Sequence, residues 1–179
     1  MIRAIRAGLA LVFLLVLTAC GGKDSAPGSS SPRVMRYSGP PVTQIVVNKS
    51  DRMMFLLSGR KVLKAYKIDL GNAPNGAKQF EGDGKTPEGI FFINRFNPRS
   101  TYHLSVGINY PRPEDIARAA AHGRNPGGDI FFHGRGRLGR AAEQSGKKDW
   151  TAGCIAVEDA EIEEIFAMVR TGTQVVINP

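Results

Sequence analysis

The sequence predicts a mainly β fold of the α+β class, and three observations carry that prediction. Short β-branched and aromatic runs dominate the chain from Thr43 onward. Clusters of Gly, Asn, Asp, Ser and Pro separate them at intervals too short for crossover helices. Only two stretches carry clear helix punctuation, which excludes the regular βαβ alternation of a doubly wound sheet. With 179 residues, 42% hydrophobic and 22% charged, the chain is long enough for one domain with its own core.

The elements are taken in chain order. "TQIVVNKS", "RMMFLLSG" and "KVLKAYKIDLG" are strands divided by Asn-Lys-Ser-Asp and Ser-Gly-Arg turns, as in a meander. The stretch "NAPNGAKQFEGDGKTPEG" is a loop, in which Gly82, Gly84 and Gly89 can supply positive φ and Pro87 blocks a helix. Strands "IFFINRF" and "YHLSVGINY" come next. "RPEDIARAAAHG" reads as a helix, with Pro113 near its first position, acids in its first turn and Gly123 as its stop. "GGDIFFHG" is a further buried strand. "EDAEIEEIFAMVRTG" spaces Ile162, Ile165, Phe166 and Val169 along one helical face, with Asp159 expected as N-cap. "TQVVINP" closes the chain as a strand.

The N-terminus is organised differently. "MIRAIR" is a basic leader, and Ala7–Leu17 is an apolar run too short to span a bilayer comfortably. "LTAC" then places small residues before Cys20, which resembles a bacterial lipobox. By that resemblance residues 1–19 are a lipoprotein signal peptide, Cys20 is acylated, and residues 20–42 form a Gly/Ser/Pro-rich tether with an end-to-end distance of roughly 25 Å. The folded domain is expected over residues 43–179. Gly21 after the cysteine resembles the pattern that sorts to the outer membrane of a diderm host, facing the periplasm. The formal net charge of +8 falls to +6 without Arg3 and Arg6 and suits an anionic partner.

Two cysteines are present, Cys20 and Cys154. A lipid on Cys20 leaves Cys154 as a lone thiol in an oxidising compartment, where such a group must be buried or used. "DIFFHGRGRLGR" spells G-x-G-x-x-G over Gly134, Gly136 and Gly139, but the next stretch of chain, "RAAEQSGKKDW", is too short and polar for a dinucleotide-binding crossover helix. A basic, mobile loop is expected there instead. The more telling residue is His133, which "DWTAGCIAV" succeeds along the chain. Gly153 before Cys154 sets the thiol where a tight turn enters a buried strand, and backbone amides at such a turn can converge as an oxyanion hole. A thiol becomes a useful nucleophile when a histidine takes its proton and an acceptor fixes the histidine's tautomer. Alone, each of these residues is equally consistent with packing. His103 and His122 are read as structural.

"FFHG" with "DWTAGCIAV" resembles the signature of the L,D-transpeptidases, the YkuD-type domain of bacterial cell-wall enzymes: His, a spacer, then Ser/Thr-His-Gly-Cys. Seventeen residues, Gly134 to Trp150, separate His133 from Thr151. "EGDGKTPEGIFFI", "INYPRPEDIARA" and "GTQVVINP" resemble other parts of the same domain, so the likeness runs from about Thr43 to Pro179. It implies a YkuD-like β-sandwich of mixed sheets with a few short helices. It implies Cys154 as nucleophile, His133 as general base, the Gly134 carbonyl orienting His133, and the Gly153 and Cys154 amides in an oxyanion hole. Thr151 and Trp150 are expected to shape the substrate pocket. The family's second histidine and its Asn or Arg are replaced here by Ala152 and Ala156.

The implied reaction attacks the diaminopimelate–D-alanine bond of a peptidoglycan tetrapeptide stem, forms a thioester and passes the acyl group to an amine. No cofactor and no metal is expected; the partners are stem peptides and, through Cys20, a membrane, with no nucleic acid and a monomeric chain. The basic spacer residues Arg135, Arg137, Arg140, Lys147 and Lys148 are read as an attraction for carboxylate-bearing stems or as a solvated loop near anionic lipid. The alternatives are a cysteine hydrolase of the same stems (carboxypeptidase, endopeptidase or amidase) and a non-catalytic lipoprotein that binds murein.

Overall fold

The computed structural model describes residues 35–179. The expected signal peptide, Cys20 and most of the tether lie outside the described residues. Among the described residues, eight strands and three helices occur in chain order: β1 (Gln44–Asn48), β2 (Met53–Ser58), β3 (Lys61–Lys67), β4 (Gly89–Ser100), β5 (His103–Ile108), α1 (Pro113–Ala121), β6 (Phe131–His133), α2 (Gly136–Gln144), β7 (Ile155–Ala156), α3 (Asp159–Met168) and β8 (Gln174–Asn178).

The strands form one mixed sheet in the order β3-β2-β1-β8-β4-β5-β6-β7. The meander β1-β2-β3 is antiparallel as its turns predict. The last strand, β8, returns parallel to β1 and antiparallel to β4. The long strand β4 serves both halves: its first residues pair with β8, and from Ile93 onward it pairs with β5. At the far end β6 and β7 run parallel, placing Phe132 beside Ile155 and His133 beside Ala156. The chain leaving β3 then meets β7 through the bridge Asp69–Ala156 and the turn before β7 through the bridge Gly71–Thr151, so the two ends of the sheet are joined.

Alternation along the strands sends one face inward, and β1 is the clearest case: Ile45 and Val47 are fully buried while their neighbours are half-buried. Phe91, Ile93, Val106, Ile108, Phe132, Ile155, Val175 and Ile177 complete the same core. Helix α3 closes it with Ile162 and Ile165, both fully buried, and Phe166 meets Phe96 edge-on at 5.0 Å.

Three expectations are corrected. The residue capping α3 is Glu158, whose side chain accepts from the third helical N–H while Glu161 reaches back to the Glu158 N–H; Asp159 is the first helical residue. The spacer expected as a mobile loop contains helix α2. Packing on the domain also begins before Thr43, because Val42 is buried and Tyr37 lies against the core.

Candidate active site

His133 ends β6 and Cys154 immediately precedes β7, so two adjacent parallel strands deliver both residues to one end of the sheet. They line the same cleft, about 410 Å³, with Asn97, Ser100, Thr101, Tyr102, Ser105, Asp129 and Phe131. A larger hollow of about 530 Å³ is lined by Arg52, Asp69, Arg135 and Asp149 among others, and those four are paired with one another across it.

The imidazole of His133 is held on every side. Its Nδ1 donates to the Gly134 carbonyl at 2.7 Å, which fixes the proton on Nδ1 and leaves Nε2 as the basic nitrogen. Among the described residues nothing hydrogen-bonds to Nε2. The ring lies against Tyr102 at 4.5 Å and edge-on to Trp150 at 5.6 Å. The backbone is pinned as well, since the His133 carbonyl accepts the Val157 N–H at 3.0 Å. Burial pushes the pKa of His133 below its usual 6.5, against an opposing pull from the Gly134 carbonyl, so the ring is neutral at neutral pH.

Cys154 rides on a turn that its own neighbours tie. The Thr151 hydroxyl accepts the Gly153 N–H at 3.1 Å and donates to the Cys154 carbonyl at 2.7 Å. Gly153 has φ 138, and a Cβ there would stand 2.6 Å from the Lys85 carbonyl oxygen, so both the conformation and the space require glycine. The thiol donates to the Asp129 carbonyl at 3.3 Å. Burial pushes its pKa above 9.0, a weaker effect of the nearby Asp129 charge adding to the rise. The thiol and the imidazole are therefore both neutral at rest.

The remaining expected site residues divide. Trp150 does not line the cleft; it backs His133, with its indole Nε1 buried and unpartnered among the described residues. Thr151 is 5% exposed and spends its hydroxyl on the turn. Ala152 is exposed, whereas Ala156 is buried in the ladder between His133 and Asp69. His103 contacts Glu163 at 2.8 Å and His122 ends α1, both away from the cleft. Of the basic spacer residues, Arg135 is tied to Asp69 at 2.8 Å and to Glu158 at 2.6 Å, and Arg140 to Asp159. Those two are braces of the fold; Arg137, Lys147 and Lys148 carry no ion pair among the described residues. Tyr102 and Asp129 were not singled out from sequence, since their contacts with His133 and Cys154 are made across the fold and leave no local pattern. Among the described residues no group of three or more His, Cys, Asp or Glu is placed to hold a metal ion.

A thiol, an imidazole with a fixed tautomer and a glycine-shaped turn can together perform acyl transfer. Residues 42–177 match the model of the L,D-transpeptidase catalytic domain, YkuD. The chain belongs to the YkuD family. YafK of Escherichia coli strain K12, provisionally named an L,D-transpeptidase, is 30% identical over 184 residues, covering 96% of this chain and 67% of YafK. Among solved structures, the helical cell shape determining protein Pgp2 of Campylobacter jejuni is similar with a TM-score of 0.59 and 26% identity. That alignment covers 84% of this chain and 51% of the other, so this chain spans about half the length of Pgp2. Bd1075 of Bdellovibrio bacteriovorus shares the fold, with a TM-score of 0.51 and 22% identity over 76% of this chain and 48% of that one. A YkuD domain places this chain with acyltransferase-type enzymes linked to peptidoglycan.

Proposed function

We propose that this chain is a cysteine L,D-transpeptidase acting on peptidoglycan tetrapeptide stems. The observation that carries the reading is the hydrogen bond from His133 Nδ1 to the Gly134 carbonyl in the cleft that also holds Cys154. Membership of the YkuD family supports it, and the likeness to a cell-shape protein supports a role in wall remodelling.

In this reading Nε2 of His133 takes the Cys154 proton as sulfur attacks the carbonyl of the diaminopimelate L-centre. The Cys154 amide faces the developing oxyanion; the Gly153 N–H, expected beside it, is spent on the Thr151 hydroxyl at 3.1 Å and shapes the turn instead. The C–S bond forms, the C–N bond to D-alanine breaks, and the departing amine takes the proton back from His133. An amine of a second stem then attacks the thioester, and its displaced proton returns through His133 to the thiolate. The protein is a monomer held at the envelope by lipid on Cys20; a Cys20→Ala variant that stayed in the membrane fraction would contradict that placement.

The direct test incubates the protein with tetrapeptide murein fragments and reads the products by mass spectrometry. Crosslinked dimer with released D-alanine is expected. Shortened monomer without crosslink would instead assign a hydrolase. Unchanged substrate together with a Cys154 thiol inert to carbapenem acylation would overturn the reading.

A further inference from the structure

Beside the thiol, one wall of the cleft carries a cation and an anion whose arrangement is unusually constrained. Arg95 lies just past a register shift in β4 and stands opposite Gly107 of β5, which in turn stands opposite Phe131 of β6. A Cβ on Gly107 would lie 2.6 Å from Arg95 Cγ and 3.0 Å from the Phe131 ring. The bare glycine therefore lets the arginine lie across a whole strand. Its guanidinium carbon sits 4.4 Å above the Phe131 ring centroid, and Nη2 donates to Asp129 Oδ1 at 2.8 Å. Asp129 has φ 56, uncommon for a residue with a Cβ, and its carbonyl is the acceptor of the Cys154 thiol.

A pair this exposed, 43% for Arg95 and 82% for Asp129, contributes little to stability. A strand glycine and a left-handed aspartate are costly ways to build a surface ion pair. Both charges also keep free capacity: among the described residues, Asp129 Oδ2 and the Nε and Nη1 of Arg95 have no hydrogen-bond partner. Asp129 and Phe131 line the cleft, and Arg95 covers both.

An α-amino-acid centre carries an ammonium and a carboxylate on one carbon, the charge complement of this pair. We infer that Arg95 and Asp129 form a specificity site for a free amino-acid centre on the substrate, Arg95 taking its carboxylate and Asp129 its ammonium. The inference rests on the function proposed above, because the side chain of diaminopimelate ends in such a centre while the other end supplies the carbonyl attacked by Cys154. It adds that a stem whose side chain lacks this carboxylate is discriminated against at the cleft wall.

The experiment measures equilibrium binding of three tetrapeptide stems to the full chain carrying Cys154→Ala: one with diaminopimelate, one with its side-chain carboxylate amidated, one with lysine instead. D-Alanine release by the unmodified protein is monitored in parallel. The free diaminopimelate stem is expected to bind about tenfold more tightly than the amidated one. Adding Arg95→Ala should abolish that ratio, and Arg95→Lys should restore part of it. Asp129→Asn, which tolerates the same backbone, should weaken binding of all three stems, since each keeps the side-chain ammonium. Equal binding of all three stems, or no binding, overturns the specificity site whatever the release assay shows. Selective binding without D-alanine release overturns the transpeptidase reading and leaves this site standing.

Discussion

In the proposed reaction, the chemistry of the cleft turns on two titrating groups that burial moves apart, His133 down and Cys154 up. A base with a depressed pKa remains available in mild acid, so the acid limb of the rate should fall below pH 6.5. The thiol, held above 9.0, should alkylate slowly at neutral pH and accelerate only in strong base. A pH profile of kcat/KM alongside iodoacetamide labelling of Cys154 checks both; an acid midpoint at or above 6.5, or fast labelling at pH 7, would refute the neutral pair. Stability moves with the same sign. The unfolded chain protonates His133 more readily, so this group's contribution is complete above the unfolded pKa and is lost as pH falls from there through the folded value.

Helix α2 is the element that sequence reasoning missed, and its causes are all tertiary. Gly136 and Gly139 are poor helix formers, and the stretch after them is short and polar. The fold supplies what propensity lacks. The Asp159 carboxylate accepts the Gly136 N–H at 2.9 Å and pairs with Arg140 one turn further on. Gly139 lets the Trp150 indole close in, since a Cβ there would stand 2.7 Å from the ring. The strands and the other two helices were readable because their periodicity and turn residues are local, whereas α2 depends on a carboxylate 23 residues away. Asp159→Ala should therefore cost about 1 kcal/mol, the usual worth of an N-terminal cap, and Asp159→Asn much less. Thermal unfolding measures the loss, and hydrogen exchange should place its first opening in α2; uniform loss of protection across the sheet would contradict the assignment.

At the scale of the molecule, the turn that carries Cys154 hangs on the seam that joins the two ends of the sheet. His133 and Cys154 were recognisable from sequence because a short signature carries both, but the seam joins residues from Asp69 to Asn72 with residues from Asp149 to Ala156, and no local pattern announces such pairing. Asp69 and Ala156 exchange two backbone hydrogen bonds at 2.9 Å each, and Thr151 bonds the backbone of Leu70 and Asn72. Asp149 fastens the start of the turn: its carboxylate accepts the Leu70 N–H at 3.0 Å and takes Arg52 at 2.8 Å. Removing that carboxylate strands a backbone donor and a partly buried guanidinium together, a loss of about 1–3 kcal/mol. Asp149→Asn keeps an acceptor for Leu70 and forfeits only the charge, so it should retain most of the stability. The two variants differ further in activity: Asp149→Ala frees the turn and should lower kcat by more than the lost folded fraction explains, while Asp149→Asn should track that fraction. Urea denaturation, D-alanine release and exchange at the Ala156 amide decide it; unchanged protection of Ala156 in Asp149→Ala would show that the seam holds without its carboxylate.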